Sequence, residues 1–211
     1  MKFRTSAILA FASFLPVTAN AAMAVWSTAS GGNGHTYEIV IGNYDWTTAR
    51  SLAEGSTIAG STGYLATITS AEEQAFLDAL FSPRTISTLP DGQGGTIDFS
   101  SLWLGGSDAD VEGVWRWVAG PESGQLISDY YENWDTAEPN DFPPGEDYLA
   151  GWFRADRGDV WNDLPSNAND FGQFVVGYIV EYDTNVIPLP GAAWLLLGGL
   201  GALGFARSRR T

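Results

Sequence analysis

The chain has no cysteine and only one histidine in 211 residues. The first absence excludes disulfide staples, thiolate nucleophiles and cysteine-ligated zinc. The second leaves no histidine pair for a zinc motif, and there is no Gly-x-Ser-x-Gly elbow and no phosphate-binding loop. The lone His35 sits in a Gly-rich stretch and reads as a solvated loop residue rather than a catalyst. Positive charge is just as scarce. All 25 acidic residues lie between Glu38 and Asp183, against Arg50, Arg84, Arg116, Arg154 and Arg157 and no lysine, a balance of about −20. Nucleic-acid binding needs the opposite surface. Charge of one sign also opposes compaction, so a bound cation would relieve repulsion as well as build a site. No repeat, heptad or low-complexity tract is present.

Long apolar runs are confined to the two ends. Lys2 and Arg4 precede an apolar stretch from Ala7 to Leu15, then Ala19-Asn20-Ala21. That order reads as a secretory signal peptide over 1–21, with the mature chain starting at Ala22 or Ala24. Near the other end, Val186-Ile187-Pro188-Leu189-Pro190 leads into an uncharged stretch up to Ala206, closed by Arg207-Ser208-Arg209-Arg210. Residues 187–206 are about long enough for a transmembrane helix, and the arginines suit a cytoplasmic end. A plain tail anchor is one reading. The Pro-rich motif, apolar helix and arginine cluster also resemble the PEP-CTERM-like sorting signals of Gram-negative bacteria, in a Leu-Pro variant. That resemblance implies processing by an exosortase-type enzyme and export to the outer surface or extracellular matrix. Between the ends lies one domain with eight of the nine tryptophans, enough aromatic area for a core without cross-links. We divide the chain into a signal peptide (1–21), a lead-in (22–35) that reads as loose over Ser27 to Gly34, the domain (36–183) and a sorting or transmembrane segment (184–211).

Within the domain, Thr36-Tyr37-Glu38-Ile39-Val40-Ile41 alternates as a strand. Asp45 or Thr47 is placed to cap a helix through Ala49, Leu52 and Ala53. Ser70-Ala71-Glu72-Glu73 is a capping signature before a second helix ending ahead of Pro83. Residues 82–101 read as an exposed insertion, 103–104 and 114–118 as strands, 120–144 and 166–172 as loop, and 174–182 as the last strand. Two helices, short strands and a long irregular loop make the fold class α+β. A long structureless loop in a compact domain is usually functional.

That loop carries the chemistry. Glu138-Pro139-Asn140-Asp141, Gly145-Glu146-Asp147 and Trp161-Asn162-Asp163 gather carboxylates and carboxamides within 26 residues. Hard cations take oxygen ligands, and Ca²⁺ takes six to eight. Open coordination positions can accept sugar hydroxyls, which the same side chains can hydrogen-bond.

These residues resemble the sugar-binding calcium site of C-type lectin domains. The resemblance implies that Glu138, Asn140, Glu146, Asn162 and Asp163 ligate one Ca²⁺ and the sugar, with the Pro139 peptide cis and Trp161 as core beneath. The Glu-Pro-Asn form goes in that family with mannose-type sugars. Leu104-Gly105-Gly106-Ser107-Asp108, Glu112-Gly113 and Trp115-Arg116-Trp117 are similar to the segment before the long loop. By the same resemblance Asp108, Glu112, Asp141 and Asp147 would form a second calcium site. Tyr64 to Gln74 and Gly177 to Tyr182 extend the match to about residues 37–182. The family's two disulfides would fall on Ala53 with Val180 and Tyr148 with Ser166, none of them cysteine here.

The implied function is a calcium-dependent lectin for mannose-type or related surface or exopolysaccharide glycans. The alternative is a C-type-lectin-like scaffold, calcium-braced or calcium-free, that binds protein or matrix without recognising sugar. An enzyme is the reading from another class: Glu138 and Glu146 could do acid–base work on a glycoside. Clustered acids with amides and no histidine fit calcium better. Trp134, Trp152 and Phe153 are open between sugar platforms and core filler. Arg154 and Arg157 are open between glycan contacts and pairing with nearby acids.

Overall fold

The computed structural model describes residues 22–81, 87–90, 96–154, 158–168 and 175–184. The expected signal peptide and nearly all of the C-terminal segment lie outside them, as do Pro83 and Arg157. Among the described residues no helix is long and apolar enough to cross a membrane.

The elements in chain order are β1 (Ala22–Val25), β2 (Thr36–Ile41), α1 (Trp46–Gly55), β3 (Thr57–Ile58), β4 (Ser61–Leu65) and α2 (Ala71–Leu80). There follow β5 (Ser87–Pro90), β6 (Thr96–Ser107), β7 (Arg116–Trp117), β8 (Tyr148–Arg154), β9 (Gly158–Leu164) and β10 (Val175–Tyr182). Strand β10 is the hinge of the architecture. One edge pairs antiparallel with β2 over its last six residues. Its other edge pairs with β4 at Val180–Tyr182 and, in parallel, with β6 around Val175–Tyr178. The sheet then continues through β8 to β9.

Both helices start where a side chain satisfies the free N–H groups of the first turn. Asp45 accepts from Thr48 N at 2.6 Å and Ser70 accepts from Glu73 N at 3.1 Å. Glu73 also turns back to accept from the backbone and hydroxyl of Thr69.

Strand alternation sorts the core onto two faces. Leu102 and Leu104 of β6, Leu149 of β8 and Ile179 of β10 join the cluster under α2 with Leu77, Phe81, Trp117 and Trp161. Their neighbours Trp103, Ala150, Tyr178 and Val180 join the cluster under α1 with Trp46, Ala49 and Ala53. Gly105 is the tight point between layers: its N–H donates to Ala66 O, and a Cβ there would lie 2.5 Å from Leu65 O. Ala53 and Val180 do pack in one cluster, fully buried, where a disulfide was thinkable. At the other pair Trp46 does the joining. Its ring lies 4.5 Å from that of Tyr148, its backbone N–H donates to Ser166 O, and its indole N–H donates to Leu104 O at 2.8 Å.

One expectation needs correction, and two further stretches hold strands that the sequence pattern did not announce. In the lead-in, Ala22–Val25 pairs with Thr36–Ile39 as an edge strand that was not assigned from sequence. The insertion over 82–101 contains β5 and the start of β6, paired with each other from Ser87–Phe99 to Pro90–Thr96. Residues 148–164 hold a β8–β9 hairpin, paired residue for residue from Tyr148–Leu164 to Arg154–Gly158, to which no strand was assigned from sequence.

Candidate functional site

Strand β9 is the floor of the site. The long loop lies along it, because Trp161 N donates to Asn133 O at 2.7 Å and Asp135 N donates to Trp161 O at 2.9 Å. Asn133 adds a side-chain bond to Asp159 O at 2.7 Å. Trp161 itself is fully buried, with Tyr131, Trp134 and Trp117 edge-on around it. It is part of the core cluster.

From this floor Asp163 reaches into the loop. Its Oδ2 accepts from Asn140 N at 3.0 Å and Asp141 N at 2.8 Å. Ala137 and Asp141, on either side of the Glu-Pro-Asn tripeptide, have positive φ without being glycine. Such backbone persists only where its surroundings hold it, and Asp163 is one such hold. The Glu138–Pro139 peptide is cis. Asn140 donates its side-chain N–H to the Glu138 carboxylate. Further on, Phe142 N donates to Glu146 Oε2 at 3.2 Å and Glu146 N donates to Asp141 Oδ1 at 3.0 Å.

Four of the five proposed ligands are thereby drawn together. The Glu138 carboxyl is pushed up to about 7, first by burial and then by the charge of Asp163. Glu146 is raised to about 7 by burial, then by Asp163, with Glu138 contributing. Three acids feel one another in a partly desolvated place. Asn162 is buried beside Asp163 on β9, but the described contacts do not tie its side chain to the other four.

The donor set fits a hard cation. Asn162 Oδ1 and Asp163 Oδ1 are buried and lack a hydrogen-bond partner, the condition that costs most in a polar atom. Among the described residues the ion pairs lie elsewhere, at His35 and Arg50. A divalent ion would satisfy the orphan oxygens and offset the burial and mutual repulsion that raise the Glu138 and Glu146 carboxyls.

Three of the four proposed second-site residues also meet. Carboxylate oxygens of Asp108, Glu112 and Asp147 all lie within 4.8 Å of one another. Asp108 is buried, Oδ2 accepts from Gly113 N at 2.8 Å, and Oδ1 has no partner. Burial raises its carboxyl to about 6, with Glu112 and Asp147 adding to the rise. Asp141 is not part of that triad; its Oδ1 serves Glu146 N in the neighbouring site.

One cluster escaped the sequence reading. His35 is not a solvated loop residue. Its Nδ1 lies 2.6 Å from Glu181 Oε1 and 3.6 Å from Asp183, with the ring only 25% exposed. Glu181 also accepts from Tyr37 Oη at 2.9 Å and Thr67 N at 3.1 Å. Tyr37 Oη also meets the carboxyl of Glu73, which is 1% exposed. The partners are 146 residues apart, so no local pattern announces them. Of the aromatic candidates, Phe153 is core, whereas Trp134 is part-buried and stands edge-on to Trp115. The arginines named for the same role, Arg154 and Arg157, have no described side chains.

With that geometry in hand, comparison with solved structures decides the architecture. C-type lectin CEL-I from Cucumaria echinata superposes with a TM-score of 0.52 at 22% identity, covering 71% of this chain and 90% of that one. The fold is the C-type lectin fold. No family model matches the chain. Among curated proteins, halomucin from Haloquadratum walsbyi is 34% identical over 157 residues, 71% of this chain and 1% of halomucin. The CD209 antigen of Papio hamadryas is 33% identical over 107 residues, 51% of this chain and 24% of that protein. The chain therefore spans under a quarter of either relative's length. On this fold Asp163 of β9 holds the acidic loop just after the cis Glu138–Pro139 peptide.

Proposed function

We propose that the domain binds glycans through a calcium ion held by Glu138, Asn140, Glu146, Asn162 and Asp163, without covalent chemistry. The observation that carries this is the buried, orphaned Oδ1 of Asp163, with the Glu138 and Glu146 carboxyls close enough to feel its charge. Bound calcium would supply open coordination positions for two adjacent sugar hydroxyls. The chain's own residues do the rest. Glu138 and Glu146 accept hydrogen bonds from those hydroxyls, Asn140 donates, and Asp163 holds the loop backbone in place through two N–H bonds. The Glu-Pro-Asn motif favours mannose-type hydroxyl geometry, and the named glycan class extends to related surface or exopolysaccharide sugars.

We also place the protein at the cell exterior, exported by the 1–21 signal peptide. It would be anchored by the 184–211 segment or released from it by an exosortase-type enzyme, in a Gram-negative setting. A second reading has its own support. The Asp108, Glu112 and Asp147 triad is the tighter group of oxygens, and calcium there would brace the loop without touching sugar. A glycan array probed with the purified protein, with and without calcium, separates the two. Calcium-dependent retention on mannose-type glycans supports the lectin. A calcium-stabilised protein that retains no glycan supports the scaffold.

A further inference from the structure

A cleft of about 450 Å³ opens elsewhere, between the start of α1 and the segment around β7. Its size falls in the range of small-molecule sites, roughly 300–1,000 Å³. None of the five proposed calcium ligands lines it. Arg50, Arg116, Asp110 and the half-buried Tyr148 line it, with Trp46 and Trp117 buried behind them. The position of the arginines is the informative part. In a domain near −20, the two arginines whose side chains are described both line this one cleft.

Neither guanidinium is used up. Arg50 donates Nε to Glu54 at 2.8 Å and Nη2 to Val118 O at 3.3 Å, and its charged end stands 5.7 Å from the centre of the Trp46 ring. Arg116 donates Nη1 to Gly124 O at 2.7 Å. A guanidinium carries five N–H donors in a planar fork, so each keeps donors for a ligand. The backbone and ring contacts fix both forks in position, which lowers the entropy cost of using them. Planar forks match carboxylates bidentately, and the half-buried Tyr148 ring suits the C–H face of a sugar ring. Asp110 opposes an anion but sits exposed in water, where screening blunts it.

We propose that this cleft is a second saccharide site, selective for a uronic-acid residue of an acidic glycan. The carboxylate lies between Arg50 and Arg116, and the ring rests on Tyr148. The site uses none of Glu138, Asn140, Glu146, Asn162 and Asp163, so it stands or falls separately from the lectin reading.

The test uses the full chain in calcium-containing buffer at fixed salt. Tryptophan fluorescence and calorimetry follow a hyaluronan tetrasaccharide, its carboxyl-reduced neutral counterpart, and a sulfated oligosaccharide free of uronate. The wild type and Asp163→Asn are expected to bind hyaluronan with the same affinity. Arg50→Gln/Arg116→Gln is expected to bind at least tenfold more weakly, as is the carboxyl-reduced sugar to the wild type. Should the double variant misfold, phenylglyoxal labelling of the wild type gives the same answer, with hyaluronan protecting Arg50 and Arg116. Equal binding of the neutral sugar, unchanged binding by the folded double variant, preference for the sulfated probe, or absence of protection each overturns the proposal. Loss of hyaluronan binding in Asp163→Asn overturns the independence of the two sites.

Discussion

Asp163 offers a test in which one oxygen is kept and one charge removed. Its Oδ2 receives two backbone N–H groups from the loop, while its Oδ1 is buried without a partner. Asparagine retains an acceptor for the two N–H groups and deletes the charge that presses on Glu138 and Glu146. Without calcium, Asp163→Asn should therefore melt at or above the parent temperature. Alanine strands both N–H groups. At roughly 1–2 kcal/mol for each lost partner, Asp163→Ala should fall about 2–4 kcal/mol below Asp163→Asn in EDTA. Calcium reverses the order. A ligand at 100 times its Kd stabilises the parent by about 2.7 kcal/mol. In a domain of this size that is about 5–11 °C, at roughly 2–4 °C per kcal/mol. Asp163→Asn should gain under about 2 °C. Both proteins are best compared in an Asp108→Asn background, so that the second acidic triad does not contribute. The assay is differential scanning calorimetry in EDTA and in calcium. Equal calcium shifts in parent and variant would refute the site. A fall of Asp163→Asn in EDTA as large as that of alanine would refute the hydrogen-bond argument.

Three further outcomes are expected. In EDTA the melting temperature should fall as pH rises from about 5 to 8. His35, raised above 6.5 by Glu181, stabilises fully below 6.5 and loses that contribution as pH passes its folded value, while Glu73, raised to about 7, keeps its proton in the folded state where the unfolded chain has lost it. His35→Gln should flatten the upper part of that profile, and an identical profile in a thermal pH series speaks against the pairing. Trp46→Ala removes the Tyr148 ring contact and the bond to Leu104 O, and should cost about 3–5 kcal/mol in urea denaturation; a loss under 1 kcal/mol would mean Trp46 does not join these elements. Asp108→Asn alone should leave calcium-dependent sugar retention in place while reducing total bound calcium by calorimetry, and loss of sugar binding would tie the two sites together.

Where a structural feature rests on contacts a few residues apart, the amino-acid order announced it. Asp45 and Ser70 cap helices because an oxygen three residues back meets a free N–H, and that spacing is visible in the chain. The acidic loop and its Glu-Pro-Asn and Trp-Asn-Asp triplets were legible for the same reason: unusual side chains stand close in order, whatever the fold does. Composition alone also ruled out thiol chemistry and phosphate-backbone binding. Tertiary structure decided the rest. It brought Asp163 under the N–H groups of residues 140 and 141, set Asp108 beside Asp147, and sent Asp141 to Glu146 instead. It also closed His35 onto Glu181 and gathered two arginines in a cleft of an acidic domain. Those contacts join residues far apart in the chain, where pairing depends on how β10 splits its edges between β2, β4 and β6. Local order carries no record of that choice, because long-range pairs form only once burial of both core faces has fixed the register.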